Sequence, residues 1–184
     1  MSLFEATVTY VDDAFQGKQK AHFERTVHWM RLFYPQGSEA HDIAAYAHDI
    51  ERALRDTTYT PPDDYLDATF LQHHQERGAE LMAAFLHQHN APDEVIATVT
   101  HLIQKHEVGG DEVQNALMDA DSVSFFETNA EIFVTHKAPI EGFERVKQKL
   151  DWMYDRIHTD EHKLLAEANY RTWSNALEQS KETA

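Results

Sequence analysis

Apolar residues recur at three- and four-residue spacing along almost the whole chain, and most glycines and prolines fall between those stretches. Phe23, Val27, Met30 and Tyr34 mark one stripe; Val95, Val99 and Ile103 mark another. No segment alternates apolar and polar residues long enough to make a strand. The pattern predicts an all-α fold, a single-domain helical bundle of about seven helices over residues 1–184. Helices are expected over 3–15, 19–34, 38–54 (capped by Ser38) and 64–90, the last interrupted at most near Gln72. Further helices are expected from Pro92 to the Gly109-Gly110 pair, over 111–133, from Pro139 to about 158, and from a Thr159-Asp160-Glu161-His162 cap to about 179. Residues 57–64, with Pro61-Pro62, read as a loop.

The composition narrows the chemistry. The chain has no cysteine, which excludes disulfides, thiolate zinc sites and cysteine nucleophiles. Its net charge is -16, with 16 basic against 32 acidic side chains, so no broad nucleic-acid surface is expected. No apolar run approaches the roughly 20 residues that span a bilayer. The N-terminal residues are acidic where a secretory signal is basic, so a cytoplasmic protein is expected. The oligomeric state stays open.

Thirteen histidines are the chemically suggestive excess. His22, the pair His48-Asp49, His74, His106 and Asp121 all fall in stretches that read as helix. Imidazoles and carboxylates bind catalytic divalent ions where thiolate is lacking, and a helical bundle can gather them at one interior point. A second adjacent pair, His41-Asp42, lies one heptad before His48-Asp49 on nearly the same face. The small and apolar run Ala44-Ala45-Tyr46-Ala47 before His48 favours the later pair, since a ligand-bearing helix must be buried. His22 is preferred to its rival His28, Asp121 to Asp119, and His106 to His101, which lies off the apolar stripe. Asp119 is a candidate for orienting a ligand. Trp29, Trp152 and Trp173 read as core, and the mixed-charge run 143–149 reads as exposed surface.

The ordered series resembles the HD-domain superfamily of metal-dependent phosphohydrolases. Four pieces carry the likeness: His22 with Arg25, Ala44 to Ile50, His74 with Gly78, and Asp119-Ala120-Asp121-Ser122-Val123. The chain departs from the family where Glu51-Arg52 stands for Gly-Lys, and where Asp121-Ser122-Val123 stands for Asp-Arg-Leu. The resemblance implies an HD core over about 20–127 and a C-terminal helical extension over about 138–181. It implies His22, His48, Asp49 and Asp121 as metal ligands. Asp49, His74 and His106 form the implied catalytic set, the two histidines holding a second ion or facing the substrate phosphate. Arg25 and Arg77 are candidates for phosphate oxygens, or else make solvated salt bridges. The implied cofactor is a divalent ion, Mn²⁺, Fe²⁺, Co²⁺, Ni²⁺ or Zn²⁺, and the implied substrate a small phosphate ester, often a nucleotide. A di-iron oxygenase on the same fold and a catalytically degenerate binding module are the alternatives.

Overall fold

A computed structural model describes residues 1–55, 64 and 66–182 of the protein. Among them there is no strand, and the all-α expectation holds. The first half contains α1 (Leu3–Phe15), α2 (Lys20–Phe33), α3 (Glu39–Ala47), α4 (Ile50–Leu54), α5 (Ala68–Gln88) and α6 (Asp93–Ile103). Then come α7 (Glu112–Thr128), α8 (Ala130–Ile132), a π-helical turn (Phe133–Lys137), α9 (Ala138–Glu141), α10 (Phe143–Asp155) and α11 (Asp160–Glu182). Reciprocal caps start several of them. Ser2 and Glu5 form a capping box on α1, and Asp111 and Gln114 form one on α7.

Four boundaries differ from the sequence expectation, each for a local reason. The helix expected over 38–54 opens at His48-Asp49, dividing α3 from α4. The helix from Pro92 ends at Ile103 and passes through turns to Gly109, whose φ of +70° suits glycine. Pro139 sits inside the short α9, and Gly142, at φ +106°, separates it from α10. No break occurs at Gln72, where α5 runs straight through. The loop expected at 57–64 lies, apart from Asp64, outside the described residues.

Two apolar cores are joined through α7. The first gathers α1 to α6 around α3, whose residues Ile43, Ala44, Ala45 and Ala47 are fully buried. Such small side chains let α1, α2 and α6 all approach α3 closely. The second core packs Val123, Phe125 and Phe126 of α7 against Val146, Leu150 and Met153 of α10 and Ala166 and Leu177 of α11. Trp29 and Phe33 of α2 touch both cores, as does no strictly peripheral helix. Trp152 and Trp173 pack on the second core, as expected of core residues. No helix among the described residues is long and apolar enough to cross a membrane.

Candidate metal centre

The opening between α3 and α4 sets the site. The His48 ring turns back so that Nδ1–H donates to the Ala45 carbonyl at 2.9 Å. That carbonyl is the one an unbroken helix would give to the Asp49 N–H, so the side chain competes with the helix where the helix opens. Nδ1 carries that proton, and Nε2 is fully buried with no hydrogen-bond partner; once deprotonated it presents a lone pair. His106 repeats the device after α6: Nδ1–H donates to the Ile103 carbonyl at 2.8 Å, and Nε2 is again buried without a hydrogen-bond partner. Two buried imidazole nitrogens without hydrogen-bond partners, among carboxylates, are better suited to a cation than to one another.

Around these rings lie two ligand groups, in each of which one donor atom per residue lies within 4.8 Å of the others. The first is His22, His48 and Asp121. Asp121 Oδ1 lies 3.1 Å from His22 Nε2 and 3.4 Å from His48 Nε2. The second is Asp49, His74, His106 and Glu107. Asp49 Oδ1 lies 3.1 Å from His74 Nε2 and 3.8 Å from His106 Nε2, while Glu107 Oε1 lies 3.8 and 3.9 Å from the same two nitrogens. Donor atoms on one ion with bonds near 2.1 Å sit about 3 to 4.2 Å apart, so both groups have the right scale. The groups adjoin, since the His48 and His106 ring centroids are 5.2 Å apart. Of the four expected ligands, His22, His48 and Asp121 fall in the first group and Asp49 in the second. Neighbouring helical residues point about 100° apart, and here the pair serves two adjacent groups instead of one ion.

Further residues fix the ligands. His74 Nδ1 meets Glu51 at 2.7 Å, and Glu51 is clamped by Arg55 through two contacts of 2.7 Å. This is the carboxylate–histidine arrangement that orients a metal-binding ring. Gly78, one turn after His74, lets α5 approach the opening: a Cβ there would sit 3.3 Å from Ile103 and 3.6 Å from the His48 carbonyl. Arg52 binds Asp49 at 2.7 Å and Glu107 at 2.9 Å, bracing the second group. Arg156, at the end of α10, bonds both Asp121 and Glu107 and so spans the two groups.

A cavity of about 170 Å³ opens onto the centre. Asp49, Asp121 and Glu107 face it from one side, and Phe125, Phe133 and Met153 form apolar wall. Arg52, Lys137 and Lys149 bring cations to its lining, with the amides of Gln19 and Asn129 beside them. Burial opposes ionisation of Asp49 and Asp121, yet the cations overcome it. Arg52 and the neighbouring histidines hold Asp49 well below the usual carboxylate range, and Arg156 and His48 do the same for Asp121. Burial likewise works against charge on His48, but Asp121 and Asp49 outweigh it and raise the ring to about 9 in the absence of an ion. His106 goes the other way, lowered chiefly by burial.

The preferences among rival residues can be compared with their positions. His28 and His101 are exposed, and His101 pairs with Asp111. His41 receives a hydrogen bond from the Ser38 N–H, while Asp42 pairs with Arg31, so the earlier His-Asp pair builds the start of α3. Asp119 is buried but accepts from the His158 N–H and meets His162, away from the ligand groups. Arg25 is bound to Glu127 and stacks over Trp29, and Arg77 is paired with Glu80 at the surface. Neither lines the cavity. The run 143–149 is not uniformly exposed. Val146, Lys149, Leu150 and Met153 form the buried stripe of α10, and their helical spacing could have revealed it. Glu107 was also readable, as the acid following His106 repeats the His48-Asp49 order. Arg156 lies beyond the expected core and carries no such local signal.

A family model described as a domain of unknown function, DUF4202, matches residues 6–178. No curated protein and no solved structure matches the chain.

Proposed function

The chain belongs to the DUF4202 family, and from its own geometry we propose that it is a metal-dependent phosphohydrolase, HD-like in its ligand order, acting on a small phosphate ester such as a nucleotide. The observation that carries the reading is the charge around two buried imidazole nitrogens that have no hydrogen-bond partner. Asp49, Glu107 and Asp121 already face Arg52, Arg156 and Lys149. With Lys137 also in the lining, cations already match or exceed the carboxylates before any ion enters, and each divalent ion adds positive charge. A net positive, partly apolar cavity takes an anionic substrate.

His22, His48 and Asp121 would hold one ion; Asp49, His74, His106 and Glu107 would hold a second. The donor set of imidazole and carboxylate suits Mn²⁺, Fe²⁺, Co²⁺, Ni²⁺ or Zn²⁺. When bound, such an ion supplies Lewis acidity, making water nucleophilic near neutral pH and drawing charge from a phosphoryl oxygen. The chain's part is to fix that chemistry in space. The Ala45 and Ile103 carbonyls set the ring tautomers of His48 and His106, Glu51 sets that of His74, and the aromatic wall limits competing water. In the net reaction, water attacks phosphorus, the ester P–O bond breaks, and the alcohol leaves with a proton.

The test is phosphate release from generic phosphate esters and nucleotides with added Mn²⁺ or Co²⁺, alongside metal content. His48→Ala and Asp49→Ala are expected to lose metal and at least a hundredfold in rate, on the scale of catalysis that one such group supplies. His41→Ala and Asp42→Ala, the same dipeptide one heptad earlier, are expected to keep both. Two adjoining ligand groups also suit a pair of irons. Two bound irons with oxygen consumption, in place of phosphate release, would establish the oxygenase reading. A parent protein without bound metal would leave a binding scaffold.

A further inference from the structure

Lys149 belongs to neither ligand group and to none of the ion pairs that brace them. Its residue is only 8 % exposed, yet it lines the cavity together with the carboxylates Asp49, Glu107 and Asp121. Among the described residues no hydrogen bond or ion pair holds its ammonium. The carboxylates that act on it, Glu107 and Asp121, do so through space and are engaged by Arg156. What touches it is aromatic: Nζ lies 4.5 Å from the Trp152 ring centroid and 5.9 Å from that of Phe125. Ring faces attract a cation but make no hydrogen bonds with it, which leaves the ammonium's donors to whatever fills the cavity. A lysine is almost never buried without a partner, so this one is organised for a partner that arrives.

We propose that Lys149 anchors an anionic oxygen of the substrate's phosphoryl group, forming an anion subsite on α10 in the cavity that members of both ligand groups line. The inference rests on reading the centre as a metal site for a phosphate ester. Three features fit it. Lys149 is carried by α10, which Arg156 ties to Asp121 and Glu107, so ammonium and ligand groups keep a fixed relation. Arg52 in the lining and Arg156 outside it are both paired with carboxylates, whereas Lys149 makes no such pair. Phe125 and Met153 beside it keep the local dielectric low, which strengthens an ammonium–phosphoryl contact.

The experiment uses the full chain loaded with Mn²⁺, measuring metal content first and then binding of inorganic phosphate by calorimetry. Lys149→Met keeps the apolar stem and removes the charge. It is expected to retain the parent's metal content and to weaken phosphate binding by roughly 10- to 100-fold, the effect of losing one charged hydrogen bond. Lys149→Arg is expected to recover part of the affinity. Phosphate binding within about twofold of the parent in a metal-loaded Lys149→Met protein overturns the subsite and leaves the metal reading standing. So does loss of metal or of helical circular dichroism in that variant together with parental phosphate binding in Lys149→Gln. A parent that binds no metal, or that binds metal and no phosphate, overturns the subsite together with the reading beneath it.

Discussion

Arg156→Met tests how the carboxylates of the centre are held. The guanidinium is 6 % exposed and bonds Asp121, Glu107 and, at 2.8 Å, Ser122 Oγ. It also lies 4.4 Å from the Trp152 ring, a contact that the methionine stem would largely keep. The substitution strands two ionised carboxylates in a site with little water. Breaking a buried ion pair by removing one partner costs about 3–5 kcal/mol. In a chain of this size each kcal/mol moves the unfolding midpoint by about 2–4 °C, so the metal-free variant should melt about 6–20 °C below the parent. A divalent ion gives the same carboxylates a new counter-charge, so Mn²⁺ should close at least half of that gap. Thermal melts by far-UV circular dichroism, in chelator and then in Mn²⁺, read both quantities. A metal-free midpoint within about 2 °C of the parent refutes the ion-pair argument, given the magnitudes above. A deficit that Mn²⁺ leaves unchanged refutes an ion among these carboxylates.

Glu51→Gln keeps the size of the side chain but weakens its grip on His74, and it should lower metal affinity about 10- to 100-fold, measured by competition with a chelator; unchanged affinity would mean that Glu51 only pairs with Arg55. The histidine proton makes metal binding depend on pH. Burial opposes charge on His48, but Asp121 and Asp49 raise it to about 9, so its charged form stabilises the metal-free protein fully below the unfolded value of about 6.5. That contribution fades as pH rises through about 9, while a metal needs the neutral ring, so apparent affinity should rise across the same window. Calorimetry at about pH 7.5 in two buffers of different ionisation enthalpy should show proton release; identical heats in the two buffers count against a protonated His48.

The helices were legible because their cues are local. The cap at Ser2, the stripe through Val95, Val99 and Ile103, and the buried alanines before His48 can each be read within one or two turns. The two His-led corners were not. His48 and His106 both stand where a helix gives way, and each does so with its ring on the carbonyl three residues back, a competition that helical periodicity cannot register. Without that opening, Asp49 was naturally grouped with His48, although it faces His74 and His106. The cations were hardest. Arg25 and Arg77 stand close in sequence to ligand histidines, yet they are occupied by Glu127 and Glu80. Arg156 reaches Asp121 and Glu107, and Lys149 the cavity, only because α7, α10 and α11 share a core, which is a tertiary fact.

The long reach of Arg156 also bears on when the centre can exist. Its partners lie 35 and 49 residues back along the chain, and Ser124, beside the His22 ring, is separated from it by 102. Contacts of such separation are entropically expensive to close and form only after much of the chain has collapsed. A nascent polypeptide that has emerged only through α7 has every histidine of the two ligand groups but lacks the guanidinium that keeps Asp121 and Glu107 in register. The final register of the two groups is therefore a late event in synthesis, reached once the C-terminal helices have docked.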